Sequence, residues 1–244
     1  YKPLKNKNVD TGFGFERMLM FLNGLKDVYR TDLFMPVVKF IENELNVEYG
    51  KDIDITKSIR IIADHMRTSL MLIGDENGIV PSNVGAGYIL RRLMRRAIRH
   101  AKKIGLNTSK LAEICKIYIT EVYSEAYPNL IDKKDYIISQ INQEVEKFNK
   151  TIEVGTKEFE KLCNGIDKKI EFIKKSNPDA VITKEDRIIS GKSAFRLYDT
   201  FGFPIEMTIE MAEEKNLGVD EEGFKKAFEE HQELARTTSA GAFK

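Results

Sequence analysis

Between residues 87 and 104 apolar side chains recur at helical spacing opposite a row of cations, and no acidic residue occurs from Asn77 to Ala112. Leu90, Leu93, Met94, Ala97, Ile98, Ala101 and Ile104 fill one face, while Arg91, Arg95, Arg99 and Lys102 stack along another. Such a segment must fold as an amphipathic helix laid against a core, which excludes a strand here and makes the rest of the chain supply helical partners. Arg92, Arg96, His100 and Lys103 complete the basic run, and Pro81-Ser82-Asn83 precedes it as a cap-like entry. The ridge has two readings. It is a solvated charged face, or a row of guanidinium forks suited to phosphates, because each donates in two directions and is never deprotonated.

Helical periodicity dominates elsewhere too. It predicts helices at about 13–25, 32–45, 56–73, 87–104, 108–123, 131–164, 193–201, 205–216 and 220–236. Asp32, Thr56 or Ser58, Asn83, Thr108 and Asp220 can accept from free first-turn amides, Gly105 and Gly218 are plausible stops, and Pro128 and Pro204 read as hinges. In the long segment from Ile131, the residues Ile137, Ile138, Ile141, Val145 and Phe148 share one side, followed by Ile152, Phe159 and Leu162, so that helix needs a partner along most of its length. Strand signals are few. Residues 4–9 read as an edge strand, and 180–182 with 187–189 as a short hairpin or an ordered loop.

The formal net charge is only +1, yet eight Lys and Arg lie between Arg91 and Lys110, which leaves the remainder net acidic. Part of that acid lies between Pro204 and Leu234, where ten acidic residues face three basic ones, and it reads as a solvated helical surface turned away from nucleic acid. Cys115 and Cys163 have no framework spacing, and His65, His100 and His231 are scattered, so no zinc pattern is present. Buried, reduced cysteines and the lack of a signal-like or membrane-spanning apolar run lead to the expectation of a cytoplasmic protein without membrane partners. Both ends read as cuts, and the small residues after Arg236 as a linker, which implies a middle piece of a longer protein.

Two local patterns carry chemistry. In Asp10-Thr11-Gly12-Phe13-Gly14-Phe15-Glu16-Arg17 two glycines precede a helix and an arginine. The bare pattern is either a simple strand-to-helix turn or a place where a ligand approaches the backbone and Arg17 reaches its phosphate. Asn83 and Asp199 are, taken alone, a helix cap and a turn residue before Gly202. Tyr198, Phe201 and Phe203 at their spacing around a Gly-Pro turn are read as core and not as a base-stacking platform. His65 and Arg67, in a helix with Ile59, Ile62, Met66 and Leu70, are treated as packing or supporting groups.

Three strings in order resemble the alanyl-tRNA synthetase family of class II enzymes: 9–17 (VDTGFGFER), 81–103 (PSNVGAGYILRRLMRRAIRHAKK) and 194–204 (AFRLYDTFGFP). Thr31-Asp32-Leu33-Phe34 and residues 60–67 fit between them. The resemblance implies that the first string is motif 3, with Arg17 on the ATP γ-phosphate, Gly12 and Gly14 lining the adenylate pocket, and Asp10 holding the alanine ammonium. It implies that Asn83 and Asp199 touch a G·U wobble pair, the third of the tRNA(Ala) acceptor stem, while Arg91, Arg92, Arg95, Arg96 and Arg99 contact its backbone. Not all five arginines can face RNA, because a ridge covers only part of a helix; some would pair with acids such as Asp64. The guanine amine freed by wobble pairing suits an acceptor-only carboxylate.

The expected fold is mainly α: the end of a class II catalytic domain over 1–26, a helical tRNA-recognition domain over 27–236, and the start of a linker over 237–244. ATP, Mg2+ and alanine are implied for the parent enzyme, with zinc only in an editing domain that lies outside this chain. Motifs 1 and 2 are absent, so the chain alone is expected to be inactive. The rival class is a non-catalytic helical module that recognises duplex RNA by shape and charge.

Overall fold

The computed structural model describes residues 5, 6 and 11–241, with side chains described as far as residue 233. Its contacts divide into two units, Tyr1–Gln143 and Glu144–Lys244.

The first unit is built on two antiparallel-capable amphipathic helices, α3 (Ile53–Gly74) and α4 (Gly85–Lys103), which make the most extensive packing of the unit. Ile59, Ile62, Met66, Leu70 and Ile73 of α3 are buried together with Leu90, Met94, Ala97, Ile98 and Ala101 of α4. Full burial of each large aliphatic side chain is worth roughly 1.5–3 kcal/mol, so this apolar stripe fixes how α4 is rotated. Around the pair lie α1 (Phe15–Leu22), a 3-10 turn at Val28–Arg30, α2 (Met35–Leu45), α5 (Lys110–Ile117) and the short α6 (Asn129–Asp132). A π-helical turn, Tyr118–Val122, continues α5, closed by the Tyr123 amide on the Tyr118 carbonyl at 2.9 Å. It seats the buried Tyr118, whose hydroxyl donates to the Ala63 carbonyl of α3 at 3.0 Å.

The helix α7 (Lys134–Ser176) begins in this unit and continues into the second. Its sequence expectation, 131–164, was too short at the C-terminal end: Ile170 is also buried, and the apolar spacing carries on past Asn164. The predicted buried side holds for Ile137, Ile141, Val145, Phe148, Ile152 and Phe159, whereas Ile138 and Leu162 are half-buried.

In the second unit, α8 (Gly191–Phe201) packs most closely on α10 (Glu221–Gly241), and α9 (Ile205–Glu213) lies between them in sequence. Of the two readings of 180–189, a short hairpin or an ordered loop, the hairpin does not form, and 180–182 is a loop. Ile188–Ile189 is a strand, β1, but it pairs in parallel with β2 (Gly218–Val219), because the turn at Glu185–Arg187 directs it away from 180–182. Gly218 is therefore not a helix stop; Asn216, at φ 55°, takes the left-handed position after α9. Gly105 at φ 79° does end α4 as expected.

Several caps differ from expectation. Asp52, not Thr56 or Ser58, caps α3 by accepting from the Ile55 amide at 2.8 Å, and Thr56 and Ser58 lie buried inside the helix. Asp32 does not cap α2, where Phe34 precedes the first turn and no side chain caps it, while Asp27 caps the separate 3-10 turn through the Tyr29 amide. Thr108 is not the residue before α5, which is Ser109 and makes no side-chain cap, while Asn107 accepts from the Ser109 amide in the preceding turn. Asp220 caps α10 as expected, through the Gly223 amide at 2.8 Å. Residues 4 and 7–9 of the proposed edge strand lie outside the described residues, and the described residues 5 and 6 form a bend.

Candidate nucleotide and RNA site

Asn83 stands outside α4. The residue that precedes the first helical turn is Val84, and no side chain caps it, so Asn83 is not a helix cap. Its loop is folded back on α4 instead: the Ser82 amide donates to the Gly87 carbonyl at 3.1 Å, and Ser82 Oγ donates to the Val84 carbonyl at 3.0 Å. Gly85 adopts φ +56°, and a Cβ on Gly87 would overlap Ser82 Oγ, so the two glycines are what let the loop close this tightly. Arg91, two turns along α4, donates from Nη1 to Asn83 Oδ1. With its oxygen engaged, the exposed Asn83 offers its amide hydrogens outward.

The arginines of α4 are not equivalent. Arg95 is buried at 8% exposure, whereas Arg91, Arg92, Arg96 and Arg99 are half-buried and Lys102 and Lys103 are exposed. Arg91 lies over the Tyr88 ring, 5.5 Å from its centroid. Arg96 Nη1 is 3.1 Å from His65 Nε2 on α3. A guanidinium only donates, so His65 must accept at Nε2 and donate from Nδ1 to Asp64 Oδ2 at 3.2 Å. That bond from His65, together with the charges of Arg67 and Arg96, holds the Asp64 carboxyl below its ordinary range despite partial burial. At the core of the helix pair, Ser58 Oγ and His100 Nδ1 lie 3.0 Å apart, which gives a buried imidazole a polar partner.

Sequence reasoning passed over a polar stripe on α3. Arg60, Asp64 and Arg67 recur at i, i+4 and i+7, a spacing that could have flagged one face. Arg60 donates from Nε to the Tyr49 hydroxyl at 2.7 Å and from Nη2 to Asp27 Oδ2 at 3.1 Å, while Tyr49 donates to Asp27 Oδ1 at 2.9 Å. Burial is the chief reason the Tyr49 phenol is pushed up to about 12. Arg67 Nη1 donates to Glu16 Oε1 of α1 at 2.6 Å.

In the glycine segment, Asp10 lies outside the described residues. Gly12 and Gly14 are exposed, Gly12 with open space where a Cβ would stand, and Arg17 projects exposed from the first turn of α1. An exposed guanidinium beside uncapped first-turn amides fits an anionic group. No cluster of three or more His, Cys, Asp or Glu side chains able to hold a metal occurs among the described residues. The two cysteines are buried; Cys115 is pushed well up by burial, and Cys163 up to about 11.

Asp199 belongs to the last turn of α8 and is not a turn residue. It is exposed, with Oδ1 3.8 Å from His231 Nε2. The neighbouring aromatics are packing groups, but in two separate places. Tyr198 meets Phe195, Phe224 and Phe228 between α8 and α10, whereas Phe203 is fully buried against Phe148 of α7, with ring centroids 5.8 Å apart. Among the described residues no helix is long and apolar enough to cross a membrane.

A family model described as tRNA synthetases class II (A) matches residues 1–243. An alanine-tRNA ligase of Borrelia hermsii (strain HS1 / DAH) is 41% identical over all 244 residues, which cover 38% of that protein. An alanine-tRNA ligase of Alkaliphilus oremlandii (strain OhILAs) is 40% identical over 242 residues, 99% of this chain and 26% of the relative. One of Streptococcus thermophilus (strain ATCC BAA-491 / LMD-9) is 39% identical over 238 residues, 98% of this chain and 25% of the relative. The chain thus spans well under half the length of these curated relatives.

Proposed function

Because the chain belongs to the class II (A) tRNA synthetases, we propose that it is part of an alanine-tRNA ligase, in which it recognises the tRNA(Ala) acceptor stem and supplies the motif 3 wall of the ATP and alanyl-adenylate site. Residues 1–26 then close the catalytic domain, 27–236 form the tRNA-recognition domain and 237–244 start a linker towards an editing domain, where any zinc would be held.

The observation that carries the RNA reading is the Asn83 loop. An exposed amide is fixed by Arg91 at the head of the most basic helix of the chain, so a group that can read a base edge is joined to one that can hold a phosphate. Asn83 presents donors, suited to the lone pairs of guanine N3 or uracil O2 in the shallow groove, and Asp199 presents an acceptor-only carboxylate, suited to the guanine amine that wobble pairing frees. Arg91, Arg92 and Arg99, half-buried, are the arginines assigned to phosphates. Arg95, being buried, and Arg96, held against His65, serve the α3–α4 packing first.

At the nucleotide, Arg17 would hold the γ-phosphate, with Gly12 and Gly14 allowing the adenylate close to the backbone and Asp10 pairing with the alanine ammonium. Mg2+ would neutralise phosphate charge when bound. One cation cannot fix in-line geometry at the α-phosphate, so the isolated chain is expected not to form alanyl-adenylate.

The test is a titration of the chain with acceptor-stem duplexes that carry G·U or G·C at the third pair, across salt concentrations. Tighter binding of G·U at equal salt, with parallel salt dependences, supports the reading. Equal affinity for both stems overturns the base-recognition part and leaves a module that binds duplex RNA by charge and shape.

A further inference from the structure

The helix that carries Arg17 has almost nothing to hold it by burial. No residue of α1 is buried, and Phe15, Phe21 and Leu22 are exposed. What ties it to α3 is polar: Glu16 Oε1 accepts from Arg67 Nη1 at 2.6 Å. Arg67 is itself held firmly, with its side chain only 19% exposed. Its guanidinium lies over the Phe34 ring, 4.3 Å from the centroid, and Nη2 is 3.7 Å from Asp64 Oδ1. Asp64 is fixed in turn by His65, and His65 by Arg96 of α4. Charge-assisted contacts therefore run from α4 through α3 to α1, with one guanidinium shared between two carboxylates. A planar fork can serve both at fixed angles; a lysine ammonium cannot.

We propose that Arg67 is the positioning residue for the nucleotide-binding arginine: it fixes α1 through Glu16 and so sets the direction in which Arg17 points. The proposal rests on the reading of Arg17 as a phosphate ligand. Glu16 and Arg17 are adjacent, about 100° apart around the helix, so the Glu16–Arg67 contact fixes the rotation of α1 that aims Arg17. Consistently, Glu16 is held below its ordinary range, first by its backbone hydrogen bond and also by Arg67.

The experiment uses full-length alanine-tRNA ligase containing this segment, with Glu16→Gln, Arg67→Lys, the double variant and Arg17→Ala. Two readouts are taken: alanine-dependent ATP–pyrophosphate exchange, and hydrogen exchange of the amides at 18–22 and within α3. Glu16→Gln and Arg67→Lys should each raise the KM for ATP about tenfold, the loss of roughly one charge-assisted hydrogen bond, and leave the KM for alanine unchanged. The double variant should be no worse than the poorer single one, and exchange should quicken in α1 while α3 stays protected. Additive losses, or unchanged exchange in α1 with an unchanged KM for ATP, overturn the proposal. If Arg17→Ala leaves the KM for ATP unaltered, the phosphate reading of Arg17 fails by itself, and the exchange of α1 still decides whether Arg67 positions the helix.

Discussion

Replacement of Asp199 by asparagine separates a residue kept for the fold from one kept for recognition. The carboxylate stands in the last turn of α8, beside the carbonyls that make the end of a helix negative, and that turn has no basic residue. An acid at this place costs about 0.3–1 kcal/mol at an exposed site. Its approach to His231, 3.8 Å away and open to solvent on both sides, returns at most about 1 kcal/mol, and only when that imidazole is protonated. Both terms are small and opposed, so Asp199→Asn should leave the stability of the chain within about 1 kcal/mol of the parent, as for surface changes that touch no special feature. If the carboxylate accepts from the guanine amine, the same change should cost roughly 1–3 kcal/mol of preference for the G·U stem. That is a 5- to 150-fold loss, on the order given by ordinary affinity arithmetic. Urea denaturation followed by circular dichroism gives the first quantity, and competition between G·U and G·C stems at fixed salt gives the second. An intact preference for G·U in the folded variant would refute the recognition role. A stability loss of about 2 kcal/mol or more would show that the helix-end reasoning is wrong.

Arg91→Met should act twice, lowering the salt slope by roughly 0.7–0.9 and weakening the G·U preference through release of Asn83, whereas Arg92→Met should change the slope alone; comparison of the two in salt titrations checks this. Asp64→Asn should be less stable than the parent near neutral pH, and the gap should close as pH falls through and below the ordinary carboxylate range. The sign follows because a lowered native carboxyl stabilises the fold above the unfolded value and loses that contribution as pH falls through the native one; a gap that stays constant in urea titrations from pH 7 to about pH 3 would count against it. Gly191→Ala should destabilise the second unit by at least about 1–3 kcal/mol, since the added Cβ overlaps the Gly223 carbonyl carbon and the Phe224 nitrogen, backbone atoms that cannot turn aside. Unchanged thermal unfolding of that variant would show that α8 and α10 do not meet so closely.

The amphipathic pattern of residues 87–104, the buried stripe of α7 from Ile137 to Phe159, and the α10 cap at Asp220 could all be read from the sequence, because burial on one face and capping are local consequences of spacing. The order of motifs, Arg17 before Asn83 before Asp199, was equally legible and pointed to the family. What spacing could not supply was the choice among similar residues. Five arginines of α4 look alike on a helical wheel, yet Arg95 is buried and Arg96 is turned to His65, because the packing of α3 decides which flank of the ridge is covered. Taken alone, Asn83 reads as a cap and Asp199 as a turn residue, and only the family resemblance gave them a recognition role. Only the folded chain, through a loop closed on Gly87 and a helix that runs on to Phe201, places them as exposed groups outside those roles. The same holds for Glu16 and Arg67, which are separated by fifty-one positions and joined at 2.6 Å: periodicity reports neighbours within one helix, whereas contacts between helices depend on the tertiary fold.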